Sequence, residues 1–179
     1  KSYQATLSWV EKTNGALSER FAWHLVTLSD TKLLTNKFSE AYKDAGRAQA
    51  IYAKLSLKSS YEFARLSYKK GLIALLRNDF NSAKKNFKVS SVLFSSMPER
   101  KKEFAWSEQD LEFATMLSDP GTSRDVLQRL VEYLRVLDGR YSDLLSQPIR
   151  ERKLHLETVL KLKNKVTTVF REIRDHPKA

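Results

Sequence analysis

The sequence predicts an all-α fold, and three observations carry that expectation. Apolar residues recur at three- and four-residue steps along most of the chain, which sets them on one face of a helix. Only five Gly and four Pro interrupt 179 residues, so long helices can run unbroken. No alternation of polar and apolar residues is long enough to suggest a half-buried strand.

A short first helix should end near Asn14-Gly15, where Gly supplies the left-handed cap. A second is expected from about Ala16 to Leu34, with Phe21, Leu25, Leu28 and Thr31 on one side. Thr35-Asn36 breaks it. The third, near Lys37 to Leu55, carries Phe38, Ala41, Ala45, Ala48 and Tyr52 on a stripe whose alanines, with Gly46, predict close helix–helix contact. Helices four and five span roughly Ser59–Arg77 and Phe80–Ser96, and Met97-Pro98 ends the pair because proline cannot continue a helix interior. A sixth follows from Glu99 to Leu117, with Phe104, Leu111, Phe113 and Leu117 as its core side. The run Ser118-Asp119-Pro120-Gly121-Thr122 is the clearest loop. Thr122 or Ser123 can cap a seventh helix, which Asp138-Gly139 should close just after Leu137. A long final helix is expected from Ile149 to Arg174, ended by Pro177.

The fourth and fifth helices hold the most telling spacing. Gly71, Asp79, Phe80, Ala83 and Phe87 place small residues at Gly71 and Ala83 and large ones at Phe80 and Phe87, around the turn Asn78-Asp79-Phe80. That pattern resembles the tetratricopeptide helical hairpin, in which a small residue on one helix lets the next pack close. Only this pair shows it well; residues 37–57 and 99–118 lack the same spacing. The resemblance implies antiparallel hairpins in a tetratricopeptide-like array, with residues 1–118 as the helical module. Residues 122–179 would then be a C-terminal helical extension packed on it, or part of one single domain. The chain opens at Lys1 without Met, which predicts a piece of something longer.

Charge is uneven. The chain carries a net +11. It is +4 over residues 1–60, +6 over 61–105, −4 over 106–145 and +5 over 146–179. Two basic regions flanking an acidic one suggest separate faces, and basic faces of this kind meet nucleic acid or anionic membrane. With no cysteine, thiol catalysis, thiolate metal sites and disulfides are excluded, which fits a reducing, cytoplasmic compartment. No apolar run approaches the roughly 18 residues of a membrane span.

Catalysis has little to stand on. His24, His155 and His176 are far apart and lack the spacing that brings ligands to one helix face. No Gly-rich loop follows a strand, and the carboxylates Glu108 and Glu112 share a helix side without anything to distinguish them. The chain reads as a non-enzyme with no metal and no cofactor.

Polyanion binding is better supported. In the hairpin region Lys69, Lys70, Arg77, Lys84, Lys85 and Lys88 are followed by Arg100, Lys101 and Lys102 at a bend between helices. Lys69, Lys84 and Lys88 are expected on the flanks of the two paired helices, where they could share one surface. On the final helix, Arg150, Lys153, Lys161, Lys165 and Arg171 fall opposite the apolar side of Leu156, Val159, Leu162, Val166, Val169, Phe170 and Ile173. Such stripes suit RNA because each neutralised phosphate releases counterions. The aromatics Tyr42, Tyr52, Tyr61, Tyr68 and Trp106 read as core before they read as base-stacking platforms.

Glu19-Arg20-Phe21-Ala22-Trp23, then Lys37-Phe38 with Ala45, Ala48 and Leu55, precede the hairpin, and Glu103-Phe104-Ala105-Trp106 follows it. In that order, over residues 19–117, the chain resembles the RNA-binding domain of the 68-kilodalton subunit of the signal recognition particle. The resemblance implies a helical domain that binds and remodels the particle's RNA. It points to structured RNA and other protein subunits as partners, with no DNA-specific signal. The alternative is a tetratricopeptide-like protein–protein adaptor. Membrane-surface binding is not expected, since the apolar helix faces are wide enough to be consumed by packing.

Overall fold

Three helix ends in the first half of the chain are built the same way. Asn36, Ser56 and Asn78 each take a positive φ of 60–64°. The next residue donates its N–H back five positions, Lys37 to Lys32, Leu57 to Tyr52 and Asp79 to Ala74, each at 2.9 Å. This closure satisfies carbonyls that a helix end leaves unpaired, and Asn tolerates the left-handed conformation better than most side chains. The helices it separates follow from the sequence periodicity. In the computed structural model, which describes residues 2–119, 123–146 and 149–175 apart from the side chains of 2–4, 7, 123, 124 and 149–152, eight α-helices are seen among the described residues and no strand. The fold is all-α.

The elements are α1 (Ser2–Asn14), α2 (Glu19–Leu34), α3 (Phe38–Lys54), α4 (Tyr61–Leu76), α5 (Phe80–Ser95), a single 3₁₀ turn (Pro98–Arg100), α6 (Lys101–Ser118), α7 (Ser123–Leu145) and α8 (Ile149–Asp175). Gly15 at φ 81° follows α1, as its position in the sequence suggests. Ser18, Ser60 and Asp79 cap α2, α4 and α5, their side-chain oxygens accepting from the N–H of Phe21, Phe63 and Ser82. The expected Thr122 cap and the Pro177 stop lie outside the described residues.

Two compact units are present, residues 1–111 and 112–179, and the division falls inside α6. In the first, α2 packs on α3, α3 on α4, and α4 on α5. Its core includes Val10 from α1, Phe21, Leu25 and Val26 from α2, Ala45, Ala48, Ile51 and Tyr52 from α3, and Leu66 from α4. The alanine stripe is fully buried as expected, but Gly46 is not part of it: a Cβ there would meet nothing within 4 Å. Gly71 does what its spacing predicts. A Cβ added to it would lie 2.5 Å from the Phe87 ring, so the ring occupies the space a side chain would need. Ala83 is fully buried beside this contact, while Phe80 is half-buried.

The sequence shows one clear hairpin, yet the structure contains a second on the same plan. Leu33-Leu34-Thr35-Asn36-Lys37-Phe38 and Leu75-Leu76-Arg77-Asn78-Asp79-Phe80 form equivalent turns 42 residues apart. That step exceeds the roughly 34 residues of a tetratricopeptide unit, because α2 to α5 are 16 or 17 residues long. Ser29 stands where the second pair has Gly71, and Ala45 where it has Phe87. The residues at these positions differ between the two pairs while the turns match, which is why spacing shows only one of them.

In the second unit α7 packs on α8. Val126, Leu130, Tyr133, Leu137, Arg140 and Leu144 are buried along α7 at alternating steps of four and three until Leu144. That stripe explains a correction: α7 does not close at Asp138-Gly139 but continues to Leu145. One mid-helix Gly costs only about 1 kcal/mol, less than the roughly 1.5–3 kcal/mol that burying Leu144 contributes beyond it. Tyr133 stacks on Phe113 with ring centres 3.8 Å apart, and Thr158, Val159, Leu162 and Val166 line the facing side of α8.

Candidate nucleic-acid interface

The basic residues of α4, α5 and the turns that follow them separate into two groups. One group is already engaged. Lys69 is buried, at i+3 from buried Leu66 and i−4 from buried Ile73, and its ammonium pairs with Asp30 of α2. Burial pulls its pKa below the usual lysine value, with Asp30 opposing. The expected place for Lys69 on an exposed flank is therefore corrected: it is a core cation and offers nothing to a phosphate. Arg65 is bonded to Glu62 at 2.8 Å. Arg100 lies 4.1 Å over the Tyr61 ring and reaches Glu103 at 3.4 Å.

The other group gathers along one flank. Arg77 and Lys70 lie 5.0 and 5.1 Å over the ring of Tyr42 on α3. The Tyr42 hydroxyl accepts from the Asn86 side chain at 3.2 Å, which fixes the ring against α5. Lys70 also donates to Gln49 at 2.8 Å. Burial lowers the Lys70 pKa, Tyr42 opposes this, and the nearby charge of Lys85 lowers it further. Lys85 precedes Asn86 on α5, and with Lys58 and Lys88 it lines an open groove of about 400 Å³. Its floor is apolar: Phe63, Val89, Val92 and Leu93. Lys84 is half-buried on the same helix.

Lys101 and Lys102 are exposed at the start of α6. In the second unit Lys153 and Arg171 are exposed, Lys161 and Lys165 are half-buried, and the Arg150 side chain lies outside the described residues. Burial lowers the Lys165 pKa, with Glu172 opposing. The α8 side expected to pack does so most strongly at Val159, Leu162 and Val166.

The aromatics serve structure. Tyr52 is buried, Tyr68 donates to Asp110 at 2.7 Å, and Tyr61 lies beneath Arg100. Trp23 is more exposed, at 55%, and borders a second cleft of about 660 Å³ with Glu19, Arg20, His24, Tyr52 and Glu62, where charges of both signs meet. His24 sits edge-on to Trp23 at 5.1 Å, His155 is exposed, and His176 lies outside the described residues. Among the described residues, no group of three or more His, Asp or Glu converges as a metal site would require. None of the described helices is long and apolar enough to cross a membrane.

Sequence reading missed Lys58 and the groove floor. The signal was present: Lys85, Lys88, Val89, Val92 and Leu93 follow an i, i+3, i+4, i+7, i+8 pattern, a second stripe on a helix whose first is Ala83, Phe87, Ser90 and Phe94. No known protein family matches the chain, and no curated protein resembles it in sequence.

Proposed function

We propose that this chain is a non-catalytic RNA-binding and scaffolding subunit of a cytoplasmic ribonucleoprotein, comparable in role to a helical subunit of the signal recognition particle. Structured RNA would be held by the basic flank of α4 and α5. The observation that carries this reading is the placing of Arg77 and Lys70 over one Tyr42 ring, with exposed Lys85 and Lys88 on the adjoining α5. Lys69, Arg65 and Arg100 are paired within the fold, so the cations that would meet a phosphate backbone are Arg77, Lys70, Lys85 and Lys88. Tyr42, fixed by Asn86, holds Arg77 and Lys70 in place, so those two side chains lose little freedom on binding.

The test is an electrophoretic mobility shift of a structured RNA at two salt concentrations. Four phosphate contacts would weaken binding about a hundredfold between 50 and 200 mM salt. Replacing both Arg77→Glu and Lys85→Glu should abolish the shift. A chain that fails to bind at the lower salt is not an RNA-binding subunit. The protein-adaptor alternative then stands, favoured by the aliphatic groove floor.

A further inference from the structure

The groove beyond Lys85 is poorly suited to RNA. Its floor is mainly aliphatic, whereas unstacked bases are held by aromatic faces and by donors and acceptors on their edges. Val92 is 63% exposed in the last turn of α5, and Val89 is 37% exposed one turn before it. The equivalent positions of the sister pair, 42 residues earlier, are Ala50 and Arg47, and Lys54 stands one turn on where α5 has Ser96. The outer face of α3 is thus dressed for water, and the same face of α5 is not. An apolar stripe present on one helix pair alone, with lysines on its rim and no carboxylate among the groove's lining residues, has the character of a docking surface.

We infer that the α5 groove docks an acidic amphipathic helix of a partner protein. An apolar helix face enters a groove through residues spaced i, i+3, i+4 and i+7, and Val89, Val92 and Leu93 present the complementary spacing. Glutamates or aspartates flanking that stripe would meet Lys58, Lys85 and Lys88, giving orientation and faster association. Charge complementarity selects this occupant: a basic helix would be repelled by all three lysines, and an uncharged one would leave them unused. The inference extends beyond RNA binding, because it gives the groove a second subunit whose carboxylates would share Lys85 and Lys88 with RNA, while Arg77 and Lys70 lie outside the groove.

The test uses the full chain and a fluorescein-labelled helical peptide of about four turns, with leucines at i, i+3, i+4 and i+7 and glutamates elsewhere. Binding is followed by anisotropy, beside the same RNA shift. The discriminating variant is Val92→Lys, which adds positive charge to the rim while removing apolar floor. Docking predicts that it weakens the peptide about tenfold and leaves RNA affinity equal or higher. The inference is overturned if the wild-type chain does not bind the acidic peptide more tightly than the same peptide with lysines for glutamates. It is also overturned if Val92→Lys leaves peptide affinity unchanged or tightens it, since charge alone then accounts for the contact. Loss of RNA binding by Val92→Lys with the peptide unaffected would assign the groove to RNA instead. Arg77→Glu with Lys70→Glu, both outside the groove, should weaken RNA and leave the peptide bound, so failure of the RNA reading and of this one are separately visible.

Discussion

At equivalent positions in the two helix pairs, α4/α5 carries Gly71 and Phe87, while α2/α3 carries Ser29 and Ala45. In the first arrangement the small residue is a void that a ring fills, and a Cβ would overlap that ring at 2.5 Å. In the second the Ser29 hydroxyl is fully buried and donates to the Ala41 carbonyl at 2.9 Å, so a hydrogen bond rather than a ring occupies the contact. The turns are the same and the packing is exchanged. Close approach of two helices is thus required by the plan of the pair, but the side chains that achieve it are interchangeable as sets, not singly.

The strongest way to break that comparison is to give one pair half of the other's solution. Phe87→Ala puts the small residue of α3 into α5 while keeping Gly71, and leaves a cavity where the fully buried ring stood. The expected loss is about 3–5 kcal/mol in chemical unfolding, the range for removing a buried phenyl ring. Adding Gly71→Ser to that variant rebuilds the α2/α3 pairing and should recover part of the loss. A double variant no more stable than Phe87→Ala would show that the two arrangements are not equivalent solutions.

Glycine gives a smaller and more pointed contrast. Gly71→Ala should cost about 1–3 kcal/mol through overpacking against Phe87. Gly46→Ala, also inside a helix, should instead gain up to about 1 kcal/mol, because a Cβ there meets nothing and alanine restricts the unfolded chain. Opposite signs in thermal denaturation are expected for one chemical change at two helical sites. Equal effects would mean that the Phe87 ring moves aside without penalty.

These cases also show what sequence could and could not reveal. The helices were legible because apolar spacing is local, and their ends because Asn78-Asp79 and Gly15 have a turn chemistry of their own. Gly46 and Gly71 are indistinguishable as letters; only the partner across the interface separates them. Lys69 misled in the same way. Its interval from Leu66 and Ile73 marks a core position, but its neutralising partner lies 39 residues away. Gly139 misled by composition, since a Gly next to Asp looks like a helix end until Leu144 shows the stripe continuing. The basic flank was half visible: Lys70, Arg77, Lys85 and Lys88 were expected, whereas Tyr42 as the platform of Lys70 and Arg77, and Lys58 at the groove, depend on tertiary placement.

Lys69 supplies the smallest expected signal, and one that links the two pairs directly, because its partner Asp30 belongs to the other pair. Burial lowers its folded-state pKa below the unfolded value of 10.5, and Asp30 only partly restores it. Between the lowered value and 10.5 the unfolded chain binds more protons than the folded one, so this group's contribution to stability rises with pH across that window. Tyr52 and Tyr61 act in the opposite sense. Burial raises both above 10.0, so the folded chain keeps protons that the unfolded chain loses, and stability falls as pH climbs through that range. The wild-type profile alone therefore mixes two slopes. The difference between wild type and Lys69→Met isolates one of them, since the tyrosines are common to both chains. Urea midpoints measured from pH 8 to 10.5 should show wild type gaining on Lys69→Met as pH rises. A difference that is flat or shrinking would mean that the Asp30 pair outweighs burial and that the two pairs are joined by a salt bridge stronger than its desolvation.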